Sequence, residues 1–171
     1  LNPIHSALAP YDVMLGYKLF ADGMSDPELS RLAAQVGYAE GLPVVEDPGI
    51  LSPKAFIDEV IHERFPNAYL GDTSQRICTD ISQGLAFRFG ETIKAYVARD
   101  GSAAALKGIP LAAAGWLRYL LKVDDRGSEY SLAPDPMNDE LTRQLDGIRV
   151  GCPDSYRGQL KPILSNAHIW G

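Results

Sequence analysis

Residues 103–121 are apolar on nearly every face that a helix would present, and small side chains cluster at positions 112–115. A helix that is apolar all round is normally enclosed by other elements. Its most apolar run, 109–117, is about half the length needed to cross a bilayer, and Arg118 closes it. The stretch therefore predicts a buried central helix of a globular domain, with no membrane partner.

The remaining segments read as helices separated by Pro, Gly and Asp. Ser25-Asp26-Pro27-Glu28 is typical of a helix start, with Ser25 as the cap, and Gly41 ends that helix. Asp72 is predicted to cap one helix running through Leu85. The other predicted helices cover 52–65, 91–98, 139–145 and 158–166.

No sustained alternation of apolar and polar residues and no Asn-Gly hairpin signal occurs, so the prediction is an all-α, multi-helical domain. The start of the chain leaves one alternative open. Pro10 either lies in the first turn of a helix running to Tyr17 or kinks a helix that began near His5.

Composition excludes several classes of protein. The net charge is −6, with 16 basic residues scattered among 22 acidic ones, which argues against a nucleic-acid partner. Cys78 and Cys152 lack metal-ligand spacing and are predicted to be free thiols of a cytoplasmic protein, with no metal. Leu1 is preceded by no methionine and followed by no basic leader, so it is not expected to be a natural start.

Few side chains suggest chemistry from spacing alone. Asn2 and His5 are three apart and share one helix face, but spacing alone favours a capping Asn and an incidental His over a functional pair. Arg76 and Asp80 are spaced as a surface ion pair. Arg88 and Lys94 by themselves predict only solvated charges.

Several ordered blocks nevertheless resemble the C-terminal domain of the mannitol dehydrogenase family, the polyol-specific long-chain dehydrogenases. They are LNPIHSALA at 1–9, ERFPN at 63–67, DTSQRI at 72–77, RFGETIKAY at 88–96 and AGWLRYL at 114–120. Within the family the chain is most similar to the fructuronate reductase branch. The resemblance covers nearly all of 1–171 and implies the helical fold of the 6-phosphogluconate dehydrogenase C-terminal type.

The resemblance also gives roles to Asn2 and His5. The family signature is a Lys, four residues, an Asn, two residues and a His, and Asn2 and His5 match its last two positions. The resemblance implies that the Asn holds the developing alkoxide and the His binds substrate hydroxyls. The Lys, a general base, would lie upstream of Leu1.

Substrate contacts are implied in the same way. Arg76 matches a family Arg near the substrate, whereas Gly84 stands where the family usually has a Lys. We therefore expect Arg76 to bind the substrate carboxylate. Either Arg88 or Lys94 supplies the charge missing at Gly84, or the substrate differs from the family norm.

Family members place a Rossmann-type NAD-binding domain before this region and continue past the position of Gly171. The resemblance thus implies that 1–171 is a C-terminal domain incomplete at both ends, which packs against its own N-terminal domain and depends on it for NAD. The implied reaction interconverts D-mannonate and D-fructuronate by hydride transfer. Mannitol 2-dehydrogenase, tagaturonate reductase and a non-catalytic helical binding module remain alternatives.

Overall fold

The computed structural model describes residues 2–171, and it confirms the all-α prediction. The helices are α1 (Asn2–Leu15), α2 (Phe20–Met24), α3 (Pro27–Ala34), α4 (Pro53–Glu59), α5 (Ser74–Ile77), α6 (Ile81–Leu85), α7 (Glu91–Asp100), α8 (Gly108–Tyr119), α9 (Asn138–Gln144), α10 (Leu160–Leu164) and α11 (Ala167–Trp170). Only isolated β-bridges, such as Leu19 with Thr73, occur within these residues. None of the described helices is long and apolar enough to span a membrane.

Three of these helices continue with wider turns. Gln35–Gly41 follows α3, Val60–Arg64 follows α4 and Ala86–Gly90 follows α6 as π-helical segments. Leu42–Val44, Ala68–Leu70 and Pro153–Ser155 form short 3₁₀ turns. With these segments included, the predicted helix that Gly41 ends and the predicted helix over 52–65 are both confirmed in extent.

The start of α3 corrects one prediction. Asp26, not Ser25, is the cap, and its carboxylate accepts from the backbone N–H of Glu28 at 2.8 Å. Ser and Asp are both good capping residues, and Pro27 occupies the first turn whichever of the two is the cap.

α8 packs against α1, and the face that carries Ile109, Ala112 and Trp116 is buried, as predicted. The prediction of a helix enclosed on nearly every face is wrong for Pro110, Leu111 and Ala114, which are exposed, and α8 begins at Gly108 rather than near Ala103. Trp116 is 1% exposed. A Cβ at Gly115 would lie 2.3 Å from the Tyr11 ring, so only glycine lets the two helices approach this closely. The Tyr11 hydroxyl also donates to the Leu111 carbonyl at 2.8 Å.

Pro10 does not begin a helix. It lies inside α1, which starts at Asn2 and runs through Pro10 to Leu15. Leu1 lies outside the described residues.

The single helix predicted from Asp72 through Leu85 is wrong. Thr73 caps α5, and Asp80 then adopts a left-handed conformation with φ of 54°, which ends one helix before α6 begins. The Asp80 N–H donates to the Pro134 carbonyl at 2.9 Å, so a distant loop stabilises the break.

The last predicted helix is shorter than expected, covering only Leu160–Leu164. α11 then returns the chain to the core, where Trp170 lies edge-on to Trp116 with ring centroids 6.1 Å apart. Cys78 and Cys152 are both free thiols.

Candidate active site

Asn2 and His5 lie at the amino-terminal end of α1. Asn2 is exposed, whereas His5 is half-buried between two phenylalanines. Its ring centroid is 4.8 Å from that of Phe20 and 4.5 Å from that of Phe65. Burial lowers the pKa of His5 to about 4, although the nearby Asp72 carboxylate opposes this shift. The imidazole is therefore neutral at pH 7, and one ring nitrogen can donate while the other accepts.

A shallow pocket opens beside the His5 ring. Its walls come from three parts of the chain: α1, the start of α2, and the segment between α4 and α5. The lining residues are His5, Leu19, Phe20, Ala21, Arg64, Phe65, Asn67, Ala68, Leu70 and Asp72. The pocket thus combines an aromatic floor with an imidazole, a carboxylate, a guanidinium and an amide, groups that can bind polar hydroxyls over an apolar surface.

Backbone hydrogen bonds hold these parts together. Phe20 N–H donates to the Asp72 carbonyl at 2.9 Å, and Ser74 N–H donates to the Lys18 carbonyl at 3.2 Å. These bonds tie the start of α2 to the start of α5. They fix Phe20 and Asp72 relative to each other on either side of the pocket.

Arg76 lies on α5 next to the same pocket. Its guanidinium pairs with Asp72 rather than with Asp80, the partner predicted from spacing. Asp80 is turned away because its left-handed backbone breaks the helix on which that spacing depended. Arg76 is close enough to His5 for its charge to help lower the pKa of the imidazole, after burial and together with Arg64.

Arg88 reaches α1 from the π-helical segment that follows α6. Its Nη1 donates to the Ser6 hydroxyl at 2.8 Å, and its Nε is buried without a hydrogen-bond partner. Burial lowers the pKa of this guanidinium. The side chain lies over Gly84, where a Cβ would be 2.6 Å from the Arg88 Cζ.

Lys94 is placed differently. It is exposed on α7 and its Nζ lies 3.1 Å from Glu91. The structure therefore brings Asn2, His5, Arg76 and Arg88 to one end of α1, and it leaves Lys94 in a surface ion pair. Among residues 2–171 no group of three or more His, Cys, Asp or Glu side chains is arranged to hold a metal ion.

Sequence reasoning missed several lining residues, although a signal for them existed. Phe65 and Asp72 belong to two of the blocks on which the family resemblance rests, and both blocks converge on His5. Ser6 belongs to a third block, and its hydroxyl accepts a hydrogen bond from the Arg88 guanidinium. Membership of the blocks that resemble the family was the available signal for these residues. The sequence does not show how close the blocks lie to one another in the fold.

Comparisons with known proteins identify the family of the chain. The family described as mannitol dehydrogenase C-terminal domain matches residues 1–149. D-mannonate oxidoreductase of Thermotoga maritima is 52% identical over 171 residues, which are 99% of this chain and 32% of that protein. Mannitol 2-dehydrogenase of Aspergillus niger is 29% identical over 145 residues, which are 82% of this chain and 28% of that protein.

A solved structure shows the same fold. Mannitol 2-dehydrogenase of Pseudomonas fluorescens, in a ternary complex with NAD and D-mannitol, matches with a TM-score of 0.82 at 24% identity, covering 100% of this chain and 32% of that one. The chain spans about a third of the length of the curated relatives it matches.

Proposed function

Because the chain belongs to the mannitol dehydrogenase family, as its C-terminal domain, we propose that it is the substrate-binding and catalytic domain of an NAD-dependent oxidoreductase interconverting D-mannonate and D-fructuronate. The resemblance inferred from the sequence blocks is confirmed. The observation that carries the choice of substrate is the 52% identity to a D-mannonate oxidoreductase, against 29% to a mannitol 2-dehydrogenase.

In this proposal a nucleotide-binding domain precedes Asn2 in the full-length protein and holds most of the cofactor. NAD⁺ supplies the hydride acceptor when bound. The substrate carbinol carbon would give its hydride to that acceptor, and its hydroxyl proton would pass to the lysine that the family resemblance implies before Asn2. Asn2 donates its amide N–H to the alkoxide that develops as the proton leaves, which is the point where such a donor acts most strongly.

His5 has a complementary role. Its neutral ring donates to one substrate hydroxyl or accepts from it, and Phe20 and Phe65 hold the ring in place. These aromatic rings form an apolar wall of the pocket, which would keep water from that side of a bound substrate and strengthen its polar contacts. The fixed, neutral His5 beside the exposed Asn2 is the geometry expected of a hydroxyl binder next to an alkoxide holder.

Substrate preference tests the proposal. The full-length protein, assayed with NADH, is expected to reduce D-fructuronate with a kcat/KM at least about 10²-fold above that for fructose, the scale of one charge-assisted contact. D-tagaturonate, which carries the same carboxylate, distinguishes the uronate branches from each other. A preference for fructose would replace the uronate proposal with a polyol dehydrogenase, and a protein that binds NAD but reduces no ketose would favour a non-catalytic module.

The role of Asn2 is tested separately. Asn2→Ala in the full-length protein is expected to lower kcat by about 10²–10³, the scale of losing one oxyanion donor. Asn2 is exposed at the end of α1, so the melting temperature is expected to stay close to that of the wild type. A kcat within a few-fold of the wild-type value would show that Asn2 does not contact the reacting oxygen.

A further inference from the structure

Arg88 is half-buried beside α1 and has no carboxylate partner, whereas Arg64, which lines the pocket and also forms no ion pair among residues 2–171, is exposed. Among residues 2–171 the ion pairs of Arg31, Arg76, Arg99 and Arg118 each include an Asp or Glu, and none includes Arg88. Its recorded hydrogen bond is to a neutral hydroxyl, that of Ser6, and its Nε has no partner. A half-buried guanidinium without a counter-charge is unfavourable, and a bound anion would offset much of that cost.

The position of Arg88 relative to Asn2 follows from helix geometry. Successive residues of an α-helix are rotated by about 100°, so Ser6 lies about 40° from Asn2 on one side and His5 about 60° on the other. Arg88 is hydrogen-bonded to Ser6, and the aromatic pocket adjoins His5. The guanidinium and the pocket therefore flank Asn2.

Gly84 is what permits this position. A Cβ there would lie 2.6 Å from the Arg88 Cζ and 2.7 Å from its Nε, so a side chain at 84 and the guanidinium cannot share the space. Arg88 lies four residues after Gly84, so the space that a side chain at 84 would fill is occupied by a long, planar cation.

Arg76 is a weaker candidate for the same task. It is 67% exposed and already paired with Asp72, so much of its charge is compensated and screened. We propose that Arg88, in the space left by Gly84, is the residue that binds the substrate carboxylate and selects a sugar acid over an uncharged polyol. This inference rests on the proposed function and names the specificity determinant of its site.

The test compares two matched variants of the full-length protein, Arg88→Gln and Arg76→Gln, with NADH and either D-fructuronate or fructose. Arg88→Gln is expected to lower kcat/KM for fructuronate by about 10², mainly through KM, and to change fructose reduction only a few-fold. Arg76→Gln is expected to leave the fructuronate-to-fructose ratio within about 5-fold of the wild type, as for an exposed ion pair. Arg88→Lys, which keeps the charge, is expected to recover part of the ratio.

Two further measurements distinguish loss of carboxylate binding from a general loss of structure. Gly84→Ala keeps Arg88 but displaces its flexible end, and it is expected to lower the same ratio about 10-fold. D-mannonate is expected to raise the melting temperature of the wild type and of Arg76→Gln, but not that of Arg88→Gln.

Equal losses on both substrates, or loss of the ratio in Arg76→Gln alone, would overturn the assignment to Arg88. A wild-type protein that prefers fructose would overturn the proposed function as well. Failure of the assignment to Arg88 is therefore distinguishable from failure of the proposed function.

Discussion

Two carboxylates, Glu40 and Asp12, are buried to 2% and 1% exposure, yet their surroundings differ sharply. Glu40 follows α3 and reaches the start of α8, where its oxygens accept from four donors. These are the backbone N–H groups of Lys107 at 2.6 Å, Gly108 at 2.6 Å and Ile109 at 2.8 Å, and the Gln35 amide at 3.0 Å. Burial opposes ionisation of Glu40, but these hydrogen bonds outweigh it and lower its pKa.

Asp12 lies on α1 and receives one side-chain hydrogen bond, from the Ser74 hydroxyl to Oδ2 at 2.8 Å. Its Oδ1 has no partner and is packed against Gly23, where a Cβ would be 1.9 Å away. Burial therefore dominates and raises the pKa of Asp12 to about 7, against the opposing effect of Ser74.

The number of donors, rather than the burial, thus decides whether a buried carboxylate stabilises its charged form. Glu40 satisfies the otherwise unpaired N–H groups at the start of α8 and complements the dipole of that helix. Asp12 joins α1, which carries Asn2 and His5, to α5, which carries Arg76. The half of the domain next to the candidate site therefore holds an ionisable group that is poorly satisfied near neutral pH.

The largest effect is expected at Glu40. Glu40→Ala leaves three backbone N–H groups without their acceptor, two of them on the buried residues Gly108 and Ile109, so we expect the free energy of unfolding to fall by about 3–5 kcal/mol. Urea unfolding followed by circular dichroism measures this loss. Glu46→Ala, at an exposed position, is the matched control and is expected to stay within about 0.5 kcal/mol of the wild type. A loss below about 1 kcal/mol for Glu40→Ala would mean that α8 does not depend on this cap.

The comparison also shows what a sequence can and cannot predict here. The helical character and the central place of α8 follow from local periodicity and composition, and Asn2 and His5 share a face because of their spacing. Glu40 is 67 residues from Lys107, and Arg88 is 82 residues from Ser6, so neither contact has a local signal. The left-handed Asp80 depends equally on the distant Pro134 carbonyl, which is why the helix from Asp72 to Leu85 was wrongly predicted as continuous.

The role of the site residues followed from the family resemblance, not from their spacing. By spacing alone, Asn2 and His5 favour a cap and an incidental imidazole rather than a functional pair. Packing of two phenylalanines around His5 makes the imidazole neutral, and those contacts depend on tertiary structure. Arg88 was predicted, with Lys94 as the alternative, only to supply the charge missing at Gly84, where the chain departs from the family pattern.

A smaller effect of opposite sign is expected at Asp12. Its folded-state pKa is raised from 3.8 to about 7, so the carboxyl contributes no penalty below about pH 4. The penalty grows between about pH 4 and pH 7, where only the unfolded state loses the proton, and is complete above pH 7. Asp12→Asn keeps an oxygen that accepts from Ser74 and removes the charge, so we expect it to add about 2–4 kcal/mol to the free energy of unfolding at pH 8 and little at pH 4.

Urea unfolding of the wild type and Asp12→Asn between pH 4 and pH 8 measures this difference. Ser74→Ala, which removes the one side-chain donor to Asp12, serves as the internal check. In the wild-type background its cost is expected to be larger at pH 8, where it leaves a buried charge without that donor. In the Asp12→Asn background the cost of Ser74→Ala is expected to lose this pH dependence. Parallel pH curves for the wild type and Asp12→Asn would show that Asp12 finds further donors when it ionises, and the contrast with Glu40 would then disappear.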